Sequence, residues 1–298
     1  MAWQHSSIDR LLTSACSDGG WGYESGHAAS AEPTALACLA LATENHAGDA
    51  LGRGLDWLAR TQQNDGAVAV APHVSLSCWP TSLAILAWLK APSPHGISLA
   101  DRIRRAVDWL LHTEGRTLAS DSAVYGHNTL LKGWPWVAGT HSWVEPTAYA
   151  ILALRAASAG NHSRVREAVE LLLNRAIPNG GWNYGNRSMF NNTLRPFPAQ
   201  TGIALAALSA QATNDSIQTA IHYLQFELER VRTPFSLGWG IIGLTAWDQR
   251  PSSADIWLTE CAARLDGKPI HPVFDSVLLL AGAERCPLTT REEGANHG

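Results

Sequence analysis

The stretch Glu145-Pro146-Thr147-Ala148-Tyr149-Ala150-Ile151-Leu152-Ala153-Leu154 decides the fold, because the chain returns to it. Related segments read EPTALACLAL from Glu32, WPTSLAILAW from Trp79, AQTGIALAAL from Ala199, FSLGWGIIGL from Phe235 and HPVFDSVLLL from His271. Proline at the second position of four of the six (Pro33, Pro80, Pro146, Pro272) suits a first helical turn, where its missing N–H is no loss. The residues that follow are apolar nearly all round, which predicts buried helices. Sequence self-similarity at this period marks a repeat architecture.

An amphipathic segment precedes each apolar one. These run Ile8–Ala15, Ala50–Thr61, Ala100–His112, Val165–Arg175, Ser216–Glu229 and Ala254–Arg264, with charges on one side and Leu, Val, Ile and Trp on the other. Asp215-Ser216-Ile217-Gln218 reads as a capping box for the fifth. Six outer amphipathic helices around six apolar inner ones predict an all-α (α/α)6 barrel. No pair buries its face alone, so residues 1–298 read as a single domain ending in a polar tail at 289–298. Turns such as Asp18-Gly19-Gly20-Trp21, Asn64-Asp65-Gly66 and Asn179-Gly180-Gly181-Trp182 join outer to inner helices, with Asn-Gly and Asp-Gly supplying left-handed backbone.

Composition narrows the function. Only 16% of the residues are charged and the net charge is −4, so no basic surface exists to hold nucleic acid. The start lacks a basic, apolar leader, and the five cysteines are odd in number with no CxxC pair, so the reading is a cytoplasmic protein with reduced thiols and no thiolate metal site. No cofactor is expected. The aromatic excess is 13 Trp against 5 Tyr and 5 Phe, and it divides by position. Trp57, Trp109 and Trp257 on outer helices, and Trp21 and Trp182 in turns, read as packing. Trp79, Trp134, Trp136, Trp143 and Trp239 are candidates for lining a cavity.

Aligning the six segments places Glu32, Trp79, Glu145, Ala199, Phe235 and His271 at one level. Glutamate is a poor helix N-cap, so Glu32 and Glu145 are candidate catalytic carboxylates; the plainer reading is favourable contact with a helix N-terminus. His271, from the repeat that closes the ring, is a third candidate and is expected to meet Glu32. Asp275, one turn on, is expected to face the bore. Two long linkers, about Thr113–Trp143 and Ala176–Pro198, read either as a lid over one end of the bore or as a static plug.

The Gln-x-Asp-Gly-Gly-Trp type of turn, followed by a Thr-Ala-x-x-x-Leu-Ala-Leu helix, resembles the prenyltransferase/squalene-cyclase repeat. Thr61-Gln62-Gln63-Asn64-Asp65-Gly66 is similar to its turn, with Ala67 in place of Trp. Gly180-Gly181-Trp182 through Ala199-Gln200-Thr201 resembles a late repeat of the squalene–hopene cyclases, and nearly the whole chain is covered. Val144-Glu145-Pro146-Thr147-Ala148 lines up with the acidic Asp-Asp-Thr-Ala or Asp-Cys-Thr-Ala motif of triterpene cyclases. The resemblance implies class II chemistry, in which Glu145 protonates a polyprenyl alkene or epoxide and carbocation cyclisation follows. Such an acid must be neutral at pH 7, which requires burial. Trp79, Trp134, Trp136, Trp143, Phe235 and Trp239, with Asp275, are then the substrate-binding candidates, since aromatic faces stabilise cations.

The chain departs from the family where it lacks adjacent aspartates and any Asp-Asp-x-x-Asp. The partner implied is a hydrophobic isoprenoid, which brings with it peripheral membrane contact and a second subunit or homodimer that closes the pocket. Isoprenoid binding or prenyl transfer without cyclisation, a carbohydrate enzyme using Glu32 and Glu145 as paired carboxylates, and a non-catalytic scaffold stand as alternatives.

Overall fold

The computed structural model describes residues 2–46, 48–91, 99–119, 124–209 and 214–289. Apart from Thr289, the polar tail expected from the sequence lies outside them. The outer helices are α1 (Ala2–Ser14), α3 (Asp49–Thr61), α5 (Ala100–His112), α7 (Ser163–Asn174), α9 (Asp215–Glu227) and α11 (Ala254–Ala263). The inner ones are α2 (Ala31–Thr43), α4 (Thr81–Lys90), α6 (Val144–Ala156), α8 (Pro198–Leu208), α10 (Pro234–Thr245) and α12 (Pro272–Gly282). Each inner helix packs on the next, and α12 packs on α2, so the inner ring closes; α1 closes the outer layer against α12 and α11. This is the (α/α)6 toroid. The inner helices are buried along nearly their whole length because they carry almost no polar side chain after the first turn. The fifth outer helix is capped one residue earlier than the sequence pattern suggests: the Asn214 side chain, not Asp215, accepts from Ile217 N at 3.0 Å.

The repeat has a local hydrogen-bond device. In the first, third and fourth turns a tryptophan donates its backbone N–H to the threonine of the following inner helix: Trp21 to Thr34 Oγ1 (2.9 Å), Trp134 to Thr147 Oγ1 (3.0 Å) and Trp182 to Thr201 Oγ1 (2.9 Å). Each indole N–H then bonds the preceding outer helix, at Leu11 O, Leu110 O and Leu172 O. The second turn keeps the backbone bond through Val68 N and Thr81 Oγ1 at 2.8 Å. Val68, not Ala67, therefore stands where the other turns have tryptophan. Glycine precedes the tryptophan because a Cβ on Gly133 or Gly181 would collide with the threonine hydroxyl.

The same device places two residues singled out from the sequence. Trp134 is a turn tryptophan, 2% exposed and bonded to Leu110 and Thr147, and one face of its ring contributes to the wall of the cavity beside Trp79 and Trp136. The sixth inner segment is shifted by two residues. His271 is the N-cap of α12, level with Ser30 of α2, and Asp275 N bonds His271 O as Thr34 N bonds Ser30 O. Asp275 thus takes the outward-facing threonine position. Its carboxylate meets Arg10 Nε of α1 at 3.2 Å, in the seam between α12 and the outer layer, and not the bore.

The two long linkers hold no helix among the described residues. The second forms a short hairpin, β1 (Ser188–Met189) with β2 (Asn192–Thr193), and the first bonds to it through Tyr125 opposite Met189 and Phe190 N to Val124 O. They therefore pack as one layer beside α6 and α7.

Candidate functional site

Five inner segments keep common register at the helix start, and this brings two glutamates together. Glu32 and Glu145 are the second residues of α2 and α6, helices that flank α4 in the ring. They are 8% and 4% exposed. Tyr23 Oη donates to Glu32 Oε2 at 2.6 Å, and Gln200 Nε2 of α8 donates to Glu145 Oε2 at 3.2 Å. Tyr149, one turn below Glu145 and fully buried, turns its hydroxyl toward that carboxyl but makes no hydrogen bond of good geometry with it.

No basic side chain is bonded to either glutamate in this cluster. Removal from water pushes the Glu145 carboxyl up to about 8, and the nearby Glu32 adds to the rise; the bond from Gln200 opposes it. Burial raises Glu32 as well, with the Tyr23 bond pulling back. Helix N-termini favour the charged carboxylate, but here desolvation wins. At neutral pH the pair is therefore held with a proton on Glu145, while Glu32 accepts the Tyr23 hydroxyl. Tyr23 itself is held far above the usual phenol range by burial and by the two glutamates, so it serves only as a donor.

Beside the carboxyls runs an aromatic row. Trp136 meets Trp79 edge-on at 4.6 Å, Trp79 stacks on Tyr149 at 6.1 Å, and Tyr149 leads to Trp239 at 5.6 Å and on to Phe235 at 6.3 Å. Their side chains come from the starts of α4 and α10, from mid-α6 and from the first linker. An apolar cavity of about 170 Å³ opens at one end of this row, lined by Trp79, Trp136, Ser82 and Pro146 among others. At the rim stand the exposed rings of Tyr23, Tyr184 and Phe197, with Tyr184 and Phe197 5.7 Å apart.

Of the residues singled out from sequence, the structure gathers Glu32, Glu145, Trp79, Trp136, Phe235 and Trp239. It places most of the others elsewhere. His271 Nδ1 lies 3.3 Å from Tyr23 O and its ring packs on Phe274, so the expected contact with Glu32 is replaced by one through Tyr23. The reason is the two-residue shift of α12. Trp143, the N-cap residue of α6, borders a polar pocket with Arg175 instead of the aromatic row. Asp275 belongs to a packing seam, as described above, whereas Trp134 shares the cavity wall with Trp79 and Trp136. Sequence reading missed Tyr149, Tyr23 and Gln200. Tyr149 was signalled by its place four residues after Glu145, and Gln200 by standing where other repeats have proline. Nothing in the sequence marked Tyr23, which reaches Glu32 only through the fold of its turn.

Among the described residues, no group of three or more His, Cys, Asp or Glu is arranged to hold a metal, and no helix is long and apolar enough to cross a membrane.

Compared by sequence, the chain matches no family model and no curated protein. Compared by structure, it is similar to several toroids. A type II terpene cyclase from Scytonema superposes with a TM-score of 0.59 at 14% identity, over 97% of this chain and 98% of that one. An α-amylase from Clostridium perfringens superposes with a TM-score of 0.65 at 9% identity, over 94% and 96%. An ent-copalyl diphosphate synthase from Streptomyces platensis gives 0.54 at 16% identity, over 84% of this chain and 50% of that one. At such identities the likeness shows a fold common to terpene cyclases and glycosidases, and the chemistry must be argued from the site.

Proposed function

We propose that the protein is a class II-like cyclase that starts carbocation cyclisation of a polyprenyl substrate by proton transfer from Glu145. The observation that carries this reading is a carboxyl held protonated up to about pH 8, bonded by Gln200 and set beside a row of aromatic rings. Glu145 gives its proton to the terminal alkene carbon, or to the oxygen of a terminal epoxide, whose C–O bond then breaks. The more substituted carbon becomes cationic, the next double bond attacks it to close a ring, and the last cation loses a proton to solvent, which leaves a neutral isomer of the substrate. Trp79, Trp239 and Phe235 offer π-faces to the positive charge, each worth about 0.5–2 kcal/mol in a desolvated site. The Gln200 amide holds the Glu145 carboxylate that remains. Glu32, fixed by Tyr23, helps keep the proton on Glu145 at neutral pH by raising its pKa. The exposed aromatic rim supports delivery of an apolar chain, either from a membrane surface or across a second subunit.

One observation favours a second reading. Two carboxyl groups within each other's field, with the proton of one held up to about pH 8, are also the kind of pair that serves as acid and base in a glycosidase. The aromatic and apolar surroundings favour the hydrocarbon substrate over a sugar, which needs hydrogen-bonding partners along its length. The decisive experiment incubates the protein with isoprenoid alcohols, diphosphates and epoxides of several lengths, and in parallel with α- and β-linked oligosaccharides, with products read by mass spectrometry. Cyclised isomers of unchanged mass support the cyclase. Hydrolysed sugars with no isoprenoid product overturn it.

A further inference from the structure

A second pocket lies where the two linkers meet the end of α7, and its charge is all of one sign. It encloses about 100 Å³, and its lining includes Arg116, Tyr125, His127, His141 and Arg175, with no acidic residue among the lining side chains. Arg175, just after α7, forms the floor. It is 6% exposed. Its Nη1 donates to Ser142 O at 2.5 Å, while its Nε is buried without an acceptor. His127 Nδ1 is likewise buried and unpartnered. Burial lowers Arg175 to about 10, and burial together with the charges of Arg175 and Arg187 lowers His127 to about 4.

A buried guanidinium without a carboxylate is costly, because the charge has lost its water and gained no counter-charge. Structures keep such a group where something else supplies the negative charge. The pocket has room for one tetrahedral oxyanion and is open on one side. Arg175 Nε, the Arg116 guanidinium at the rim and the imidazole of His127 are the right donors for it, since guanidinium forks match phosphoryl oxygens. His127 would be neutral in the empty pocket and would gain a proton beside an anion.

We propose that this pocket is a binding site for a single phosphoryl-type oxyanion, either free or as the head of a larger molecule. It is separate from the chemistry at Glu145 and does not depend on it. The test uses the full chain and inorganic phosphate, with calorimetry for affinity and NMR of the His127 ring for its titration midpoint. Saturable binding at one site is expected, with the His127 midpoint moving up from about 4. Arg116→Gln, at the exposed rim where folding is not at risk, should weaken binding about tenfold, as loss of one charge-assisted bond does. Arg175→Gln should abolish it, with circular dichroism checking the fold. Arg166→Gln, on the solvent side of α7, should change nothing. Vesicles containing phosphatidic acid form a second arm: phosphate that displaces bound vesicles identifies a lipid headgroup as the source, and phosphate that binds while vesicles do not identifies a free ion. No His127 shift, or phosphate binding unchanged in Arg116→Gln, overturns the proposal.

Discussion

Two buried acids on the inner ring, Glu145 and Asp275, have opposite fates. Asp275 is shut between α12 and α1, its carboxylate facing the Arg10 guanidinium at 3.2 Å. Glu145 is equally inaccessible, but its neighbours are a second carboxyl, an amide and aromatic rings. Burial raises the Asp275 carboxyl too, but there the Arg10 guanidinium pulls back and ties two helices together. Glu145 has no counter-charge and neutralises itself by keeping its proton. A nearby cation offsets what burial does to a carboxyl, and without one the carboxyl keeps its proton.

The contrast can be broken from either side. Glu145→Gln keeps shape and hydrogen bonding but removes the proton, so it should cut product formation by about 10²–10⁴-fold while the protein stays folded; full activity in this variant would remove the general-acid role. Wild-type activity should fall as pH rises through about 8, where Glu145 ionises. On the other side, Arg10→Leu strands Asp275 as an uncompensated buried charge and should cost about 3 kcal/mol of stability, read by denaturant unfolding at pH 7. Arg10→Leu together with Asp275→Leu should recover most of that loss.

Stability against pH sharpens the same comparison. The Glu145 carboxyl binds its proton more tightly in the folded chain than in the unfolded one. Its contribution is therefore fully present below the unfolded pKa of about 4.5 and is lost progressively as pH rises to about 8. Glu145→Gln should flatten that decline and raise stability at pH 8 by on the order of 2 kcal/mol. The smallest effect concerns Tyr149→Phe. Its hydroxyl makes no well-formed hydrogen bond with Glu145, so its removal should leave the alkaline limb of the activity profile near pH 8 and change stability by less than about 1 kcal/mol.

Much of this was legible in the residues. The apolar ten-residue segment, returning after each amphipathic stretch, encoded both helix layers, and the ends were placed within a residue or two except at the start of α1, which begins at Ala2 and not Ile8. Glu32 and Glu145 stood out as acids inside apolar segments. Other features misled. The sixth segment shares a proline with the others, but there the proline is the first residue of its helix, whereas in α2 and α6 it is the third. Matching prolines therefore displaced His271 and Asp275 by two positions. Trp134 was hidden inside a long linker, where its glycine-tryptophan turn no longer follows directly on an outer helix.

The sequence by itself determined the toroid, since a chain of helices that are apolar on every face has no stable arrangement except inside a ring of amphipathic ones. It also determined that carboxyls would sit at the starts of two inner helices. Only the tertiary structure decided which acid is paired and which is not. That choice depends on what lies across a helix seam: Arg10 reaches Asp275 from 265 residues away, and Gln200 reaches Glu145 from 55. Local pattern carries no record of such distant neighbours, and it is they that fix the protonation state on which the proposed chemistry rests.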